Sequence, residues 1–407
     1  MSKILCLSHI FPPSIDGGSR VIYKLGRYFQ KQKNQVLYLS SDCSSTDDFT
    51  KSKYLKSDKL APNQLKLPVY HHLRRPLKLI NLFLYQKTYP HQLLQIFQKG
   101  PIFKFFPFLK TTIQIIKFKP DLIIAGPLPT TTILYANFLK KLTHSRLLIN
   151  ASFHPTDPDF HRLPLIKSLK KADYLWSLTR FETNYFRKKL NLNPNKIITA
   201  GNGIDKSFLT KKSQKTQSKK FNILFIGSLS AHKNISTLIK AFSLLLKTNN
   251  YLPASLIIAG QKTLYYPRIK KQVEKLPQNI NSKIKFIFNF PQNKLSQLID
   301  ACDVLVLPSN QESFGLVLIE SFARKKPVIV SQIPSLTEII KKTRGGLTFE
   351  LNNPNDLSKK LQKLFKNPKL SHQLGQNAFN YVKTNYTWDV VGNKIKRKLF
   401  QSWSPVW

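Results

Sequence analysis

Apolar residues recur along the chain in short uninterrupted runs, separated by stretches of helical spacing. Lys3-Ile4-Leu5-Cys6-Leu7-Ser8 predicts a strand. The loop Phe11-Pro12-Pro13-Ser14-Ile15-Asp16-Gly17-Gly18 follows. Val21, Ile22, Leu25, Tyr28 and Phe29 then repeat every 3 or 4 residues, which predicts a helix. Gln35 to Leu39 predicts the next strand. Strand, glycine loop, helix, strand is the opening of a doubly wound α/β domain. After a long insertion the pattern resumes, with strands predicted at Leu122–Ala125, Arg146–Ile149, Tyr174–Trp176 and Lys196–Ile198. The run from Lys211 to Lys220 is polar and aperiodic and reads as a linker. A second domain then opens as the first did: strand Phe221–Ile226, loop Gly227–Lys233, helix Ile235–Leu246. Further strands are predicted at Ser255–Ile258, Ile284–Ile287, Val304–Val306 and Val328–Val330, runs suited to a parallel sheet covered on both faces. The expected organisation is a first domain over 1–205, a linker over 206–220, a second domain over 221–385 and a C-terminal segment over 386–407. Two such domains in series imply a ligand cleft.

Length agrees: 407 residues suit two domains of about 200 each. No stretch approaches the ~18 consecutive apolar residues of a spanning helix. The apolar start is short and is cut off by Pro12-Pro13, so no signal peptide is expected. Cys6, Cys43 and Cys302 lie far apart and read as small buried hydrophobes in a reducing cytosol. Charge changes the picture more. Lys and Arg number 65 against 20 Asp and Glu, a formal net charge of +45. A base-composition bias accounts for abundant Lys, Asn and Ile, but not for scarce acids. So positive a field calls for an anionic partner: a membrane surface, a nucleic acid or a phosphorylated substrate.

Against that scarcity, Glu312 and Glu320 stand out. They follow the strand at Val304 and its exit Pro308-Ser309-Asn310-Gln311, and ligands in such sheets bind beyond the carboxyl ends of the strands. Phe314, Gly315 and Leu316 are placed to start a helix whose first amides suit an anion or sugar oxygens. Gly315 allows close backbone approach. Glu320, one to two turns in, can accept two hydroxyl hydrogen bonds. The alternatives are two solvated glutamates, or a glycosidase acid/base pair flanking one bond.

The stretch Leu307-Pro308-Ser309-Asn310-Gln311-Glu312-Ser313-Phe314-Gly315-Leu316-Val317-Leu318-Ile319-Glu320-Ser321-Phe322-Ala323 resembles the Glu-x7-Glu signature of glycosyltransferase family 4, retaining enzymes of the GT-B fold. The resemblance covers nearly all of the second domain and scattered points of the first. It implies two Rossmann-like domains facing across a cleft and a nucleotide-sugar donor held without a metal or other cofactor. It also implies that Glu312 contacts the donor sugar, that the amides of Phe314 to Leu316 hold hydroxyls and phosphate, and that Glu320 holds the ribose. Gly227-Ser228-Leu229-Ser230-Ala231-His232-Lys233-Asn234 is similar to the family's phosphate loop, which gives Lys233 the donor diphosphate. Many members carry Arg where this chain has Ser228, a weaker phosphate partner; Arg20 or His232 would then assist Lys233. Asn202-Gly203-Ile204-Asp205 resembles the motif that closes the first domain. Lys326 and Pro334-Ser335 stand where the family usually has glycines. From Thr387-Trp388 onward the tail resembles a final helix crossing back to the first domain.

In the first domain, Gly17-Gly18 matches the family's glycine loop facing the donor phosphates. His154 matches a histidine that touches the donor sugar, with His9 and His161 as competitors. The resemblance implies retaining transfer, with Glu312, His154 and Lys233 in the catalytic roles. Asp157-Pro158-Asp159 spells a metal motif of another fold and reads better as a polar loop. From Lys59 to Pro120 there is no Asp or Glu, while Arg74, Arg75, Lys78, Lys87, Lys99, Lys104, Lys110, Lys117 and Lys119 alternate with aromatic and apolar clusters. That combination reads as a surface for anionic lipid. The expected protein is cytoplasmic, peripheral at the inner face of the membrane, with a glycan or lipid-linked acceptor. Two other functions stay open: a nucleotide-sugar epimerase of the same fold, and a basic nucleic-acid-binding protein, although no recognised nucleic-acid module is present.

Overall fold

The structure is a computed structural model. It describes residues 1–11, 17–43, 63–67, 69, 89, 92–93, 96, 102, 104–210, 220–248 and 252–401. The chain forms two compact units, one of residues 1–203 with 391–407, the other of residues 204–390.

The first unit is built on seven parallel strands: β1 (Lys3–Leu7), β2 (Gln35–Ser41), β3 (Gln64–Leu67), β4 (Leu122–Ala125), β5 (Arg146–Asn150), β6 (Tyr174–Ser177) and β7 (Ile197–Thr199). Their order is β3-β2-β1-β4-β5-β6-β7. Ile4 pairs with Val36 on one side of β1 and with Leu122 on the other. The order therefore reverses at β1/β4, the position where such sheets open a crevice beyond their carboxyl ends. Leu122, Ile123, Ile124 and Ala125 are all buried, as a strand covered on both faces requires. The helix Gly17–Lys31 turns Val21, Ile22, Leu25 and Phe29 inward. Residues 391–401 belong to the same unit: Gly392 abuts the Tyr28 ring, and the Tyr28 hydroxyl donates to Asn393 Oδ1 at 2.6 Å.

The second unit has six parallel strands: β8 (Phe221–Ile226), β9 (Ala254–Gly260), β10 (Ile284–Phe288), β11 (Val304–Leu307), β12 (Val328–Ser331) and β13 (Gly346–Phe349), in the order β10-β9-β8-β11-β12-β13. The order reverses at β8/β11. The helix Ile235–Thr248, apolar at Leu238, Ile239, Phe242 and Leu245, packs against the helix Pro354–Lys366. Ile204 joins this unit through backbone bonds with Tyr386 and Trp388.

Three features depart from the sequence reading. β3 was not expected, because Leu65 and Leu67 alternate with Gln64 and Lys66 inside the stretch read as an insertion. β13 was not expected either, because an edge strand opening on Gly346 carries little apolar signal. Lys206–Thr210 is a short helix where a linker was read; residues 211–219 lie outside the described residues.

Candidate functional site

In the second unit two loops leave adjacent strands at the β8/β11 switch point. The first follows β8. Gly227 N donates to Ala259 O at 3.0 Å, Leu229 N donates to Gln261 O at 2.9 Å, and Thr263 Oγ1 closes on the Leu229 carbonyl. Gly260 makes this possible: its φ is +148°, and a Cβ there would lie 1.8 Å from Gly227 O. Ser228 Oγ is 3.2 Å from Ser230 Oγ, which is 3.2 Å from His232 Nδ1. One 3₁₀ turn, Ala231–Lys233, ends at Asn234 in the left-handed region with φ +50°. Asn234 is anchored by Thr237 Oγ1 and by Asn352 Oδ1, each at 2.9 Å. Lys233 thus leaves a short, pinned turn at the start of a long helix.

The second loop follows β11. Asn310 N donates to His232 O at 2.8 Å, tying the two loops together through backbone. The Ser331 hydroxyl donates to the Ser309 carbonyl, and the Ser335 hydroxyl to the Glu312 carbonyl. Gly315, with φ +77°, lets the chain turn into the helix Leu316–Ala323. Phe314 is fully buried edge-on to Tyr386, their centroids 5.5 Å apart, so its ring anchors the loop. Glu320 is buried in the second turn.

The two loops meet at one contact: Lys233 Nζ lies 2.5 Å from Glu312 Oε2, with side-chain exposures of 16% and 12%. Ser228, Lys233, Glu312, Phe314, Gly315, Leu316 and Glu320 all belong to this unit. A cation, a carboxylate and a helix start converging beyond the carboxyl ends of β8 and β11 can hold a polar ligand that carries phosphate.

Gly17, Gly18 and His154 belong to the first unit. Gly17 and Gly18 open the helix after β1; residues 12–16 of the preceding loop lie outside the described residues. Gly18 packs where a Cβ would lie 2.6 Å from Pro127 Cγ, which brings the β1 and β4 exits together. His154 sits on the loop after β5, half-buried, its ring 5.0 Å from that of Phe160. His9 is buried against Ser19, and His161 Nε2 contacts Pro155 O at 2.8 Å. Asp157 accepts from Asp159 N at 2.9 Å and Asp159 pairs with Arg162, whose pKa is lowered chiefly by burial. Among the described residues no group of three or more His, Cys, Asp and Glu could hold a metal ion.

The sequence reading missed the roles of Glu182 and Ser335 at these loops, and of Lys326 at the amino ends of β11 and β12. Glu182, buried, accepts Phe153 N at 2.7 Å and Leu178 N at 2.5 Å, stapling the His154 loop to the loop after β6. Its signal was present: Thr179-x-x-Glu182 is a capping pattern, and Thr179 Oγ1 does accept from Glu182 N. Ser335, noted only as a departure from a glycine, holds the Glu312 carbonyl. Lys326, the other departure, donates to the Asp300 and Cys302 carbonyls at 2.8 and 2.7 Å and is structural.

The architecture is that of the GT-B fold, with Rossmann-like sheets in both units. Over 98% of this chain and 100% of the other, it resembles HepE of Anabaena, solved in complex with UDP-glucose, with a TM-score of 0.74 at 13% identity. Residues 207–381 match the model of the family described as "Glycosyl transferases group 1". An uncharacterized glycosyltransferase of Methanocaldococcus jannaschii is 30% identical over 209 residues, 51% of this chain and 54% of its own length. The O-antigen chain mannosyltransferase RfbU of Salmonella typhimurium is 29% identical over 238 residues, 58% of this chain and 62% of its own. The chain thus spans less than two thirds of either relative. These likenesses show the GT-B fold and a glycosyl transferases group 1 match confined to residues 207–381.

Proposed function

We propose that the chain is a retaining, metal-independent glycosyltransferase of family 4. It moves a hexosyl group from a nucleotide-sugar to a glycan or lipid-linked acceptor in cell-surface polysaccharide or glycolipid synthesis. The observation that carries the reading is the Lys233–Glu312 contact at the β8/β11 switch point. Lys233 takes the donor diphosphate, and the amides that start the helix at Leu316 share its charge. Glu312 accepts hydroxyl hydrogen bonds from the sugar, and Glu320 accepts them from the ribose. As the glycosidic bond breaks, negative charge grows on the leaving diphosphate, where a fixed cation and fixed amides stabilise it most. The leaving phosphate takes the acceptor proton, so no strong side-chain base is needed. His154 contacts the transferred sugar.

Product analysis tests this. Incubation with UDP-, GDP- and dTDP-sugars and a lipid-linked glycan acceptor is expected to yield a product with the donor's anomeric configuration, read by NMR. Inverted configuration would overturn the retaining assignment. Conversion of donor without acceptor would point to an epimerase.

A further inference from the structure

One surface of the first unit has the wrong polarity for a helix facing water. The helix Phe105–Phe118 turns Thr111, Thr112 and Ile115 inward. Outward it presents Phe105 and Phe106, 62% and 78% exposed, with Leu109, Ile113 and Ile116 also exposed. A surface helix ordinarily does the reverse. The neighbouring helix Thr132–Thr143 continues the face with exposed Phe138 and Leu142, and the Phe108 ring bridges the two helices at 5.1 Å from Tyr135 and 6.1 Å from Phe138. Such a contiguous apolar face marks an interaction site.

The rim says what covers it. Lys104, Lys110, Lys117, Lys119 and Lys141 are exposed around the face, and neither helix contains an Asp or Glu. Among the described residues no helix is long and apolar enough to cross a membrane. We infer that these two helices form a docking face for an anionic lipid bilayer, the aromatic residues entering the headgroup layer and the lysines pairing with lipid phosphates. Apolar side chains whose rim is richer in lysine than in acid, with Asp121 after Lys119 and Asp173 paired to Lys140 at 2.7 Å, match that surface.

The orientation follows from the ends of the helix. Phe118 lies at the amino end of β1, with Lys3 Nζ 5.8 Å from its ring. Fourteen residues of helix, about 20 Å, place Phe105 near the other end, where Tyr135 belongs to the first turn after the β4 exit. The docking face therefore reaches the end of the sheet that carries the His154 loop. The inference rests on the proposed lipid-linked acceptor only for its purpose, since lipid binding can be read without any substrate.

The test is sedimentation of the full chain with vesicles of phosphatidylcholine alone or mixed with phosphatidylglycerol. Binding is expected to be at least about tenfold tighter to the anionic vesicles at low salt, each lysine near the surface contributing roughly fivefold. The double substitution F105S/F106S, at exposed positions, is expected to cut binding at all salt concentrations. K104Q/K110Q is expected to cut it at low salt only. Both variants should keep the parent's thermal midpoint and its nucleotide-sugar shift, which separates loss of docking from misfolding or from a wrong donor site. Equal binding to neutral vesicles, or unchanged binding by both variants, would overturn the inference. So would a self-association of the parent chain abolished by F105S/F106S, which would make the face an interface between copies.

Discussion

Exchanging the two members of the Lys233–Glu312 pair separates their roles. At 2.5 Å, with an effective dielectric near 20, the charges attract by about 7 kcal/mol before desolvation of both groups offsets most of it. The pair is therefore close to neutral for folding, while removing one member leaves the other unmatched. Lys233→Met removes a charge-assisted contact to the diphosphate, about 1.5–3 kcal/mol or roughly 10- to 150-fold in Kd. It also leaves Glu312 facing the phosphates with no counter-charge. Glu312→Gln keeps the shape and frees Lys233, so nucleoside diphosphate affinity stays equal or rises, while transfer falls by about 100-fold as the sugar loses its charged acceptor. Calorimetry with the nucleoside diphosphate, alongside turnover of the matching sugar, reads both effects. Equal weakening of nucleoside diphosphate binding by the two substitutions would refute the division of labour.

Other expectations follow from single observations. Glu182→Ala strips acceptors from two buried amides, at about 1–3 kcal/mol each, and loosens the His154 loop. Its urea midpoint should fall, with turnover reduced more than donor binding. Burial pushes the Cys302 thiol up to about 12 from the ordinary 9.0, so it stays protonated in the fold while the unfolded chain ionises. Stability is therefore lost as pH rises from 9 toward 12, by about 1.4 kcal/mol per pH unit for this group. Cys302→Ala should flatten the pH dependence of urea unfolding by that slope. Prolonged treatment with EDTA should leave transfer unchanged; loss of activity restored by a divalent cation would contradict the metal-independent mechanism.

The strands beside the switch points were legible because a strand covered on both faces leaves a short apolar run bounded by turn residues: Leu122–Ala125 and Val304–Leu307 are fully buried. β3 alternates leucine with Gln64 and Lys66, and β13 opens on Gly346 and is broken by Thr348, so neither carries such a run, whereas the edge strands β7 and β10 keep enough isoleucine and phenylalanine to be read. The placement of Glu312 after β11 and of Lys233 after β8 followed from strand position, but their contact did not, because it depends on the strand order β8-β11 rather than on spacing along the chain. Gly260 illustrates the same limit. It looks like an ordinary strand-end glycine, and its need for a missing Cβ arises only when Gly227 O comes alongside. The basic insertion was legible as charge, but Arg74, Arg75, Lys78, Lys87 and Lys99 lie outside the described residues. What the helices at Phe105 and Thr132 add is the side on which the apolar residues emerge, which periodicity alone could not assign.

The most direct test of the central claim is calorimetric titration of the parent chain and of Glu320→Ala with UDP-, GDP- and dTDP-sugars. Binding of one donor by the parent, lost or weakened by at least about tenfold in Glu320→Ala through the missing ribose contacts, is the predicted result. Binding that persists unchanged in Glu320→Ala, or no binding of any nucleotide-sugar by the parent, would contradict the assignment of the β8/β11 switch point as the donor site.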